Sequence, residues 1–300
     1  MKRVAVTGAS GFVGRAVIAP LLARGFEVHA IGRTAVTGVE SHSIDLLNTD
    51  PAPLLARIAP THLLHLAWYA EPGKFWHAPQ NLDWLAASLR LARAFAGTGG
   101  ARLVTAGSCA EYDWGFPLLD EAATPLNPAT LYGTAKAALF TVLTRATLGP
   151  SHAHARIFFP YGPGEATGRL LPDVIASVRA GRRVATSDGG QRRDFMHITD
   201  AGAAIAAVLD STASGAINIA SGTARPLRDI IGLAAALSGD AALIDWGARP
   251  RQPGEPDVMA AAIGRLRDEI GFVPAWTLDQ GLADMVNGGP ARPALLSQEH

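Results

Sequence analysis

A tyrosine and a lysine stand four positions apart in the segment YGTAK at 132–136. On a helix, residues i and i+4 lie on one face, so Tyr132 and Lys136 would point into the same site. A free tyrosine has a pKa near 10, and a neighbouring ammonium favours the phenolate. Lowering the pKa of Tyr132 by about three units needs roughly 4 kcal/mol of differential stabilisation. The pair therefore predicts proton exchange with a carbonyl or alcohol oxygen near neutral pH.

A hydroxyl group follows an apolar run upstream of this pair. Ser108 comes directly after ARLVTAG at 101–107, a pattern that indicates a buried strand. Ligands of open α/β sheets bind at the carboxyl ends of the strands, where Ser108 could hold a substrate oxygen. We therefore predict Ser108, Tyr132 and Lys136 as the catalytic residues.

Three glycines at i, i+3 and i+6 separate a predicted strand at 3–7 from a predicted helix at 12–24. In this context Gly8 permits a tight turn, Gly11 lets the backbone approach a pyrophosphate, and Gly14 allows close helix–strand packing. The first turn of the helix would point free N–H groups at the phosphates. The loop predicts a dinucleotide site, and its expected contacts are Gly8, Ser10, Gly11, Phe12, Val13 and Gly14.

The end of the second predicted strand bears on which dinucleotide is bound. The chain has Ile31-Gly32-Arg33-Thr34 there, without the carboxylate that usually binds the ribose 2′-hydroxyl of NAD. Arg33 offers a planar donor fork for a 2′-phosphate, which favours NADP. NAD is the alternative, with Arg33 then a solvated surface residue. Asp45 could accept from the adenine amino group or cap the next turn, and Leu46, Leu66 and Ala67 complete the predicted cofactor contacts.

Apolar strands alternate with helical patterns, which predicts an α/β fold with a Rossmann-type, doubly wound parallel sheet. The predicted strands are 3–7, 27–31, 42–46, 61–67, 101–107 and 154–159, and the predicted helices are 12–24, 51–59, 79–97, 130–148, 199–210, 226–238 and 278–287. We expect a dinucleotide-binding domain over 1–160, to which 186–222 returns. A smaller C-terminal α/β substrate domain would take 161–185 and 223–290, with 291–300 a flexible tail.

Composition excludes several classes of protein and of site. The 26 basic and 26 acidic residues balance, so we expect neither a nucleic acid nor a membrane surface as partner. A single cysteine, Cys109, excludes an internal disulfide, and no spacing of histidine and carboxylate residues predicts a metal. The start of the chain lacks a signal-peptide pattern and no long apolar run occurs, so we expect a cytoplasmic protein.

Together the motifs resemble the extended short-chain dehydrogenase/reductases, the NAD-dependent epimerase/dehydratase group that acts on nucleotide sugars. The matching segments, in the family's order, are TGASGFVG (7–14), HLAW (65–68), Asn81, GSCAEYDW (107–114), YGTAK (132–136), YGPGE (161–165), RRDFMHITDA (192–201), GAINIASG (215–222) and RLRDEIGFVP (265–274). The resemblance implies Ser108, Tyr132 and Lys136 as catalytic triad and a C-terminal domain that grips a sugar nucleotide. It also implies a homodimer through the helices near 80–97 and 130–148.

The residues after Ser108 narrow the reaction. Dehydratases of the family carry an Asp-Glu pair there, whereas this chain has Cys109 and Ala110, and Glu111 is expected to be salt-bridged or solvated. Reduction of a 4-keto group and 4-epimerisation need only the triad. Arg33 favours NADPH-dependent reduction of a nucleotide-linked 4-keto-6-deoxy sugar. A 4-epimerase with tightly held NAD is the alternative, and an NADP-binding regulatory protein is a remote one.

The substrate half departs from the family pattern, with Phe159 in place of an asparagine and Ala262 in place of an aspartate. Arg193 matches the family arginine that pairs with a substrate phosphate, although it could instead pair with Asp194 or Asp200. Cys109 could assist epimerisation, as a cysteine does in the fucose-synthase branch, or fill space in the core. The expected substrate contacts are Trp68, Ser108, Cys109, Arg169, Arg193 and Arg251.

Overall fold

The computed structural model describes residues 2–288, and they form fourteen strands and eight α-helices. The strands are β1 (Lys2–Thr7), β2 (Phe26–Gly32), β3 (Glu40–Ser43), β4 (His62–His65), β5 (Arg102–Ser108), β6 (Leu118–Leu119), β7 (Ser151–Ile157), β8 (Phe159–Tyr161), β9 (Val184–Ala185), β10 (Arg192–His197), β11 (Gly215–Ile219), β12 (Ala224–Pro226), β13 (Ile244–Asp245) and β14 (Val258–Ala261). The helices are α1 (Phe12–Ala23), α2 (Ala52–Ile58), α3 (Gln80–Gly97), α4 (Leu131–Arg145), α5 (Leu170–Arg179), α6 (Ile198–Asp210), α7 (Leu227–Ser238) and α8 (Leu278–Asn287).

Seven strands form one parallel sheet in the order β11-β7-β5-β4-β1-β2-β3. One apolar core lies between one sheet face and helices α1 and α6, and a second lies between the other face and helices α2, α3 and α4. The strand order reverses between β1 and β4, so a crevice opens where the loops after these strands diverge. The predicted doubly wound Rossmann-type fold is confirmed.

A smaller set of strands lies beside this sheet, in the order β12-β10-β14-β6, with β8 paired to β10. Strand β10 pairs with β12 over 192–194, with β14 over 192–193 and with β8 over 195–197, and α6 then leads back to the main sheet at β11. Residues 118–119, from the N-terminal half, also join the smaller set through β14. The expected tail at 291–300 lies outside the described residues.

One predicted strand ends earlier in the structure, and one helix was not predicted. The third strand ends at Ser43 rather than at residue 46, because Asp45 accepts hydrogen bonds that form a turn. Helix α5 was not predicted, although Leu171, Val174, Ile175 and Val178 are buried at helical spacing along it. No helix among residues 2–288 combines the length and the apolar character needed to cross a bilayer.

Candidate active site

The glycine loop folds tightly between β1 and α1. Gly8 has φ of +71°, a conformation that side chains rarely adopt, and a Cβ atom there would lie 2.6 Å from the backbone nitrogen of Ala67. A Cβ atom at Gly14 would overlap the carbonyl oxygen of Gly8. Leu66 and Ala67 donate from their backbone nitrogens to Thr7, so the end of β4 lies against the loop. Both glycines are therefore required by backbone packing.

The N-terminus of α1 is suited to an anion. Gly11 is its N-cap with no side-chain capping hydrogen bond, and its first turn contains no acidic residue. By contrast, Thr130 caps α4 and Thr277 caps α8 with side-chain oxygens. The Gly11 N–H donates to the Gly8 carbonyl oxygen, and the N–H groups of Phe12 and Val13 in the first turn would face a pyrophosphate, with Ser10 exposed at the tip of the loop.

The residues predicted to contact the adenosine half of the cofactor have different environments in the structure. Arg33 is exposed just after the strand, and Asp45 lies close enough for the Arg33 charge to contribute to the lowered pKa of its carboxyl. The larger cause of that lowering is the hydrogen bond from Asn48, which fits the turn-capping interpretation of Asp45. Leu46 is buried in the core between the sheet and helices α2 and α3.

The three predicted catalytic side chains meet at the carboxyl end of β5. Ser108 ends that strand, and its hydroxyl group lies close enough to Tyr132, in the first turn of α4, to act on the pKa of the phenol. Lys136 lies one turn further along α4, with its Nζ atom 5.9 Å from the centre of the Tyr132 ring. The geometry therefore brings together a hydroxyl, a phenol and an amine next to the glycine loop.

The electrostatics differ from the sequence-based expectation. Burial raises the pKa of Tyr132, and the neighbouring Ser108 hydroxyl group and the charge of Arg169 oppose that rise. Burial also lowers the pKa of Lys136 to about 7. Its Nζ atom donates to the carbonyl oxygen of Ala106 at 2.8 Å and lies 3.8 Å from the centre of the Trp68 ring. The protein alone therefore does not hold Tyr132 as a phenolate, because the Lys136 amine is buried and bonded elsewhere.

Trp68 is part of this packing rather than a free stacking surface. Its ring lies against Lys136 on one side and stacks with Trp84 at 6.4 Å, and its indole N–H donates to Asn81 at 2.8 Å. Trp68 is only partly buried, and its contact with a substrate stays a prediction.

Replacing Lys136 by methionine should remove a pH-dependent contribution to stability. The folded pKa of about 7 lies below the value near 10.4 of an unfolded lysine. Between these values the unfolded chain binds more protons, so stability rises with pH by up to about 1.4 kcal/mol per pH unit. Urea unfolding at pH 7 and pH 9 should show the original chain gaining roughly 2 kcal/mol more than Lys136→Met. Identical pH dependence in the two proteins would contradict the neutral, buried amine.

Aromatic side chains that the sequence analysis did not assign enclose Tyr132. The rings of Phe75 and Trp76 meet the Tyr132 ring edge to face at 4.9 and 5.9 Å. The backbone nitrogen of Tyr132 donates to the carbonyl oxygen of Trp76 at 3.0 Å, and the Asn81 side chain donates to the carbonyl of Phe75. This wall excludes water from one side of the phenol. Its only signal in the sequence was the concentration of aromatic residues before α3.

A buried ionic network fixes the position of Ser108. Glu111 accepts from the Ser108 backbone nitrogen at 2.7 Å, from His154 Nε2 at 2.9 Å and from Arg156 Nε at 2.9 Å. Burial alone would raise the pKa of Glu111, but His154 and Arg156 lower it to about 2. A Cβ atom at Gly107 would collide with this network. Glu111 is therefore salt-bridged, one of its two predicted states, and is not available as a proton donor.

Two expected substrate contacts are buried and have partners within the protein. Cys109 is buried in an apolar cluster with Tyr112 and Phe158, and burial raises the pKa of its thiol to about 12, so it fills the core. Arg193 is buried and donates to Glu255 at 2.8 Å, rather than to Asp194 or Asp200. Its charge is compensated by a carboxylate that the sequence analysis did not consider.

The remaining two arginines line a cleft of about 710 Å³ between α5 and the segment at 249–255. Arg169 lies at one end, where its guanidinium stands 5.3 Å from the centre of the Phe75 ring, next to Tyr132. Arg251 lies on the same cleft and pairs with Asp188 and Asp257 at 2.7–2.9 Å. Further basic residues of the cleft are Arg182, Arg183 and Arg249. The charged lining residues are five arginines and the two acidic residues Asp173 and Glu255, so the basic residues are in excess, which suits an anionic ligand.

This chain is similar to several known proteins, three of which are described here. A dTDP-6-deoxy-L-talose 4-dehydrogenase (NAD(P)(+)) of Kitasatospora kifunensis is 28% identical over 303 residues, 94% of each chain. A UDP-glucose 4-epimerase of Corynebacterium glutamicum is 24% identical over 309 residues, 92% of each chain. The crystal structure of Thermus thermophilus UDP-glucose 4-epimerase with NAD superposes with a TM-score of 0.83 at 25% identity, covering 95% of this chain and 98% of the other.

The family model described as "NAD dependent epimerase/dehydratase family" matches residues 4–220. The match spans the glycine loop, Ser108, the Tyr132–Lys136 pair and the return to the main sheet through β11, which are the features that the geometry brings together. It confirms the resemblance read from the motifs. The chain therefore belongs to the NAD dependent epimerase/dehydratase family.

Proposed function

We propose that this protein reduces the 4-keto group of a nucleotide-linked 6-deoxy sugar with NADPH. The proposal depends mainly on one observation. The side chains of Ser108 and Tyr132 lie together beside the glycine loop, and no Asp-Glu pair, which elimination of water would need, follows Ser108. Cys109 and Ala110 occupy those positions and are buried, and Glu111 is locked in its ion pairs. The site therefore has the groups for hydride transfer with one proton transfer, and lacks those for elimination of water.

In the proposed mechanism the substrate C4 oxygen lies between the hydroxyl groups of Ser108 and Tyr132. When bound, the nicotinamide supplies the hydride to C4. Tyr132 gives its proton to the developing alkoxide, and the raised pKa of its phenol keeps that proton in place beforehand. Ser108 holds the oxygen through a backbone position fixed by Glu111. Phe75 and Trp76 exclude water from the phenol and offer an apolar surface that suits a 6-methyl group.

The relatives support a nucleotide-sugar substrate and leave the reaction open between reduction and epimerisation. The Kitasatospora protein is named as a 4-dehydrogenase of a dTDP-6-deoxy sugar that uses either nicotinamide cofactor. The structure of MoeE5 with UDP-glucose and NAD is 26% identical with a TM-score of 0.81. The cationic cleft with Arg169 and Arg251 would receive the diphosphate of such a substrate. Here we propose the reductase, with the 4-epimerase as second candidate because several similar proteins carry that name.

The nucleotide content of the purified protein separates the candidates. After denaturation, a reductase should release little bound cofactor, and it should oxidise added NADPH in step with reduction of a 4-keto-6-deoxy sugar nucleotide. Release of one NAD per chain, with interconversion of 4-epimers in the absence of added cofactor, would establish the epimerase. Tight NADP binding with no turnover on any of the dTDP-, CDP-, GDP- and UDP-linked substrates would point to the regulatory protein.

Replacing Arg33 by alanine should alter the choice of cofactor. The exposed guanidinium after β2 would lose its hydrogen bonds to the 2′-phosphate, and bonds between charged groups contribute roughly 1.5–3 kcal/mol. We expect NADPH affinity to fall about 10- to 100-fold and NADH affinity to change less than about twofold. Arg24→Ala is the matched control, since Arg24 follows the opposite end of α1 and pairs with Asp210. Equal losses for the two cofactors would contradict the NADP assignment.

We further propose the division into a cofactor domain and a substrate domain, with the substrate part formed by α5, α7, α8 and the smaller set of strands.

We also propose a homodimer through α3 and α4, because the apolar side chains Leu82 and Val142 of those helices are exposed. Light scattering on the original chain and on Leu82→Glu would test the dimer, with a monomeric variant as the expected result.

A further inference from the structure

A cluster of two histidines and a glutamate lies on the outer strands of the main sheet, apart from Ser108, Tyr132 and Lys136. Strands β2 and β3 run parallel, with His29 opposite Glu40 and Ile31 opposite His42. Side chains two positions apart share a face of a strand, so His29, Glu40 and His42 project from one face of the sheet. Among residues 2–288, no other group of three histidine, cysteine or acidic side chains converges in this way.

The three side chains have the separations of metal ligands. His29 Nδ1 lies 3.0 Å from His42 Nε2, and the Glu40 carboxylate oxygens lie 3.6 Å from His29 Nδ1 and 3.4 Å from His42 Nε2. A tetrahedral zinc ion with ligands at about 2.0–2.1 Å places its donor atoms roughly 3.3–3.4 Å apart. Small side-chain rotations would therefore let all three reach one ion.

A second layer of contacts orients His29 for this role. Its Nε2 atom lies 3.0 Å from Glu27 Oε1, and Glu27 is itself held by Arg3 Nε at 2.9 Å. A proton on Nε2, donated to Glu27, leaves the lone pair of Nδ1 facing His42 and Glu40. Histidine ligands of zinc commonly donate their other N–H to a carboxylate in this manner. Without an ion, the His42 Nε2–H group would donate to His29 Nδ1.

Burial leaves one side of the cluster open. The side chains of His29 and His42 are largely buried, whereas that of Glu40 is 63% exposed, so an ion could enter from solvent and keep one water ligand. Arg57 is the nearby cation whose charge acts on His42. Arg3 pairs with Glu27, so the carboxylates of Glu27 and Glu40 balance the two arginines around the cluster, and Glu40 is the carboxylate left to face an ion.

We propose that His29, Glu40 and His42 bind a zinc ion that ties edge strand β3 to β2. No metal was expected from the sequence, because these residues lie on two strands, at a spacing that no local motif shows. This inference does not depend on the proposed reductase function, since its ligands lie outside the catalytic residues.

The test is zinc binding to the untagged chain after treatment with EDTA and dialysis. Equilibrium dialysis with metal analysis should give one zinc per chain, no stoichiometric magnesium, and a higher Tm with zinc than without. His42→Ala should lose the bound zinc and the Tm increase, and Glu27→Gln should weaken zinc binding about 10- to 100-fold. Glu40→Gln, at an exposed position, tests the carboxylate ligand with little risk to folding.

His77→Ala controls for adventitious binding, because His77 is exposed and distant in sequence from the cluster. It should retain one zinc per chain with the same Kd as the original chain. Absence of stoichiometric zinc from the original chain would overturn the proposal. Unchanged zinc binding in both His42→Ala and Glu40→Gln would overturn it as well.

Discussion

Replacing Tyr132 by phenylalanine is expected to lower kcat about 10²- to 10⁴-fold while leaving NADPH affinity within about twofold. The phenol is the proton donor in the proposed mechanism, and phenylalanine removes only its hydroxyl group. The ring contacts with Phe75 and Trp76 and the backbone hydrogen bond to Trp76 would persist, so the fold of the site should not change. The measurements are steady-state NADPH oxidation and fluorescence titration of the cofactor.

Tyr69→Phe is the matched control for this change. Tyr69 loses one hydroxyl group in the same chemical substitution, and that hydroxyl donates to the side chain of Glu71. We expect kcat to stay within about twofold of the original value, because exposed polar contacts contribute little. If Tyr132→Phe retained turnover, another group would have to supply the proton, and the assignment of Tyr132 would be wrong.

Replacing Glu111 by alanine is expected to lower the free energy of unfolding by about 3–5 kcal/mol. The change leaves the buried Arg156 guanidinium without its carboxylate and the Ser108 backbone nitrogen without its acceptor. The folded pKa of about 2, against a usual value of 4.5, indicates a similar contribution of roughly 3 kcal/mol. Because the folded pKa is the lower one, that contribution is present above pH 4.5 and is lost as pH falls toward 2.

Urea unfolding at pH 7 measures the loss, and repeating it at pH 3 should show a smaller difference between the two proteins. Glu269→Ala is the control, because its ion pair with Arg265 is exposed and should contribute less than about 1 kcal/mol. Enzyme activity is a second measurement. Because Glu111 positions Ser108, we expect kcat of Glu111→Ala to fall even under conditions in which the variant stays folded. A loss no larger than that of Glu269→Ala would show that the buried network does not stabilise the fold.

The N-terminal half of the fold was predictable because its signals are local. Gly8 and Gly14 occupy positions where a Cβ atom would collide with backbone, so their spacing carries the loop geometry directly. The Tyr132–Lys136 pair lies on one turn of α4, where helical periodicity alone fixes the relative direction of the side chains. Parallel strands buried on both faces likewise give apolar runs that indicate the sheet.

Other features depend on contacts between segments that are far apart in the sequence. The spacing of residues along the chain does not predict such contacts. Glu111 meets His154 and Arg156 only because β5 and β7 are neighbours in the sheet, and Arg193 meets Glu255 across 62 positions of sequence. The position of Trp68 over Lys136 and of the aromatic wall around Tyr132 was decided in the same way.

The sequence by itself determined the family, the dinucleotide loop and the identity of the proposed proton donor, since each depends on residues within one turn or one loop. The tertiary structure alone decided the charge states. Burial and the partners brought by packing control whether a lysine or a glutamate is ionised, and both depend on segments far apart in the chain. For that reason burial lowers the pKa of Lys136, the amine expected to acidify Tyr132, to about 7, and Glu111, with its two predicted states, is salt-bridged and bonded to the Ser108 backbone.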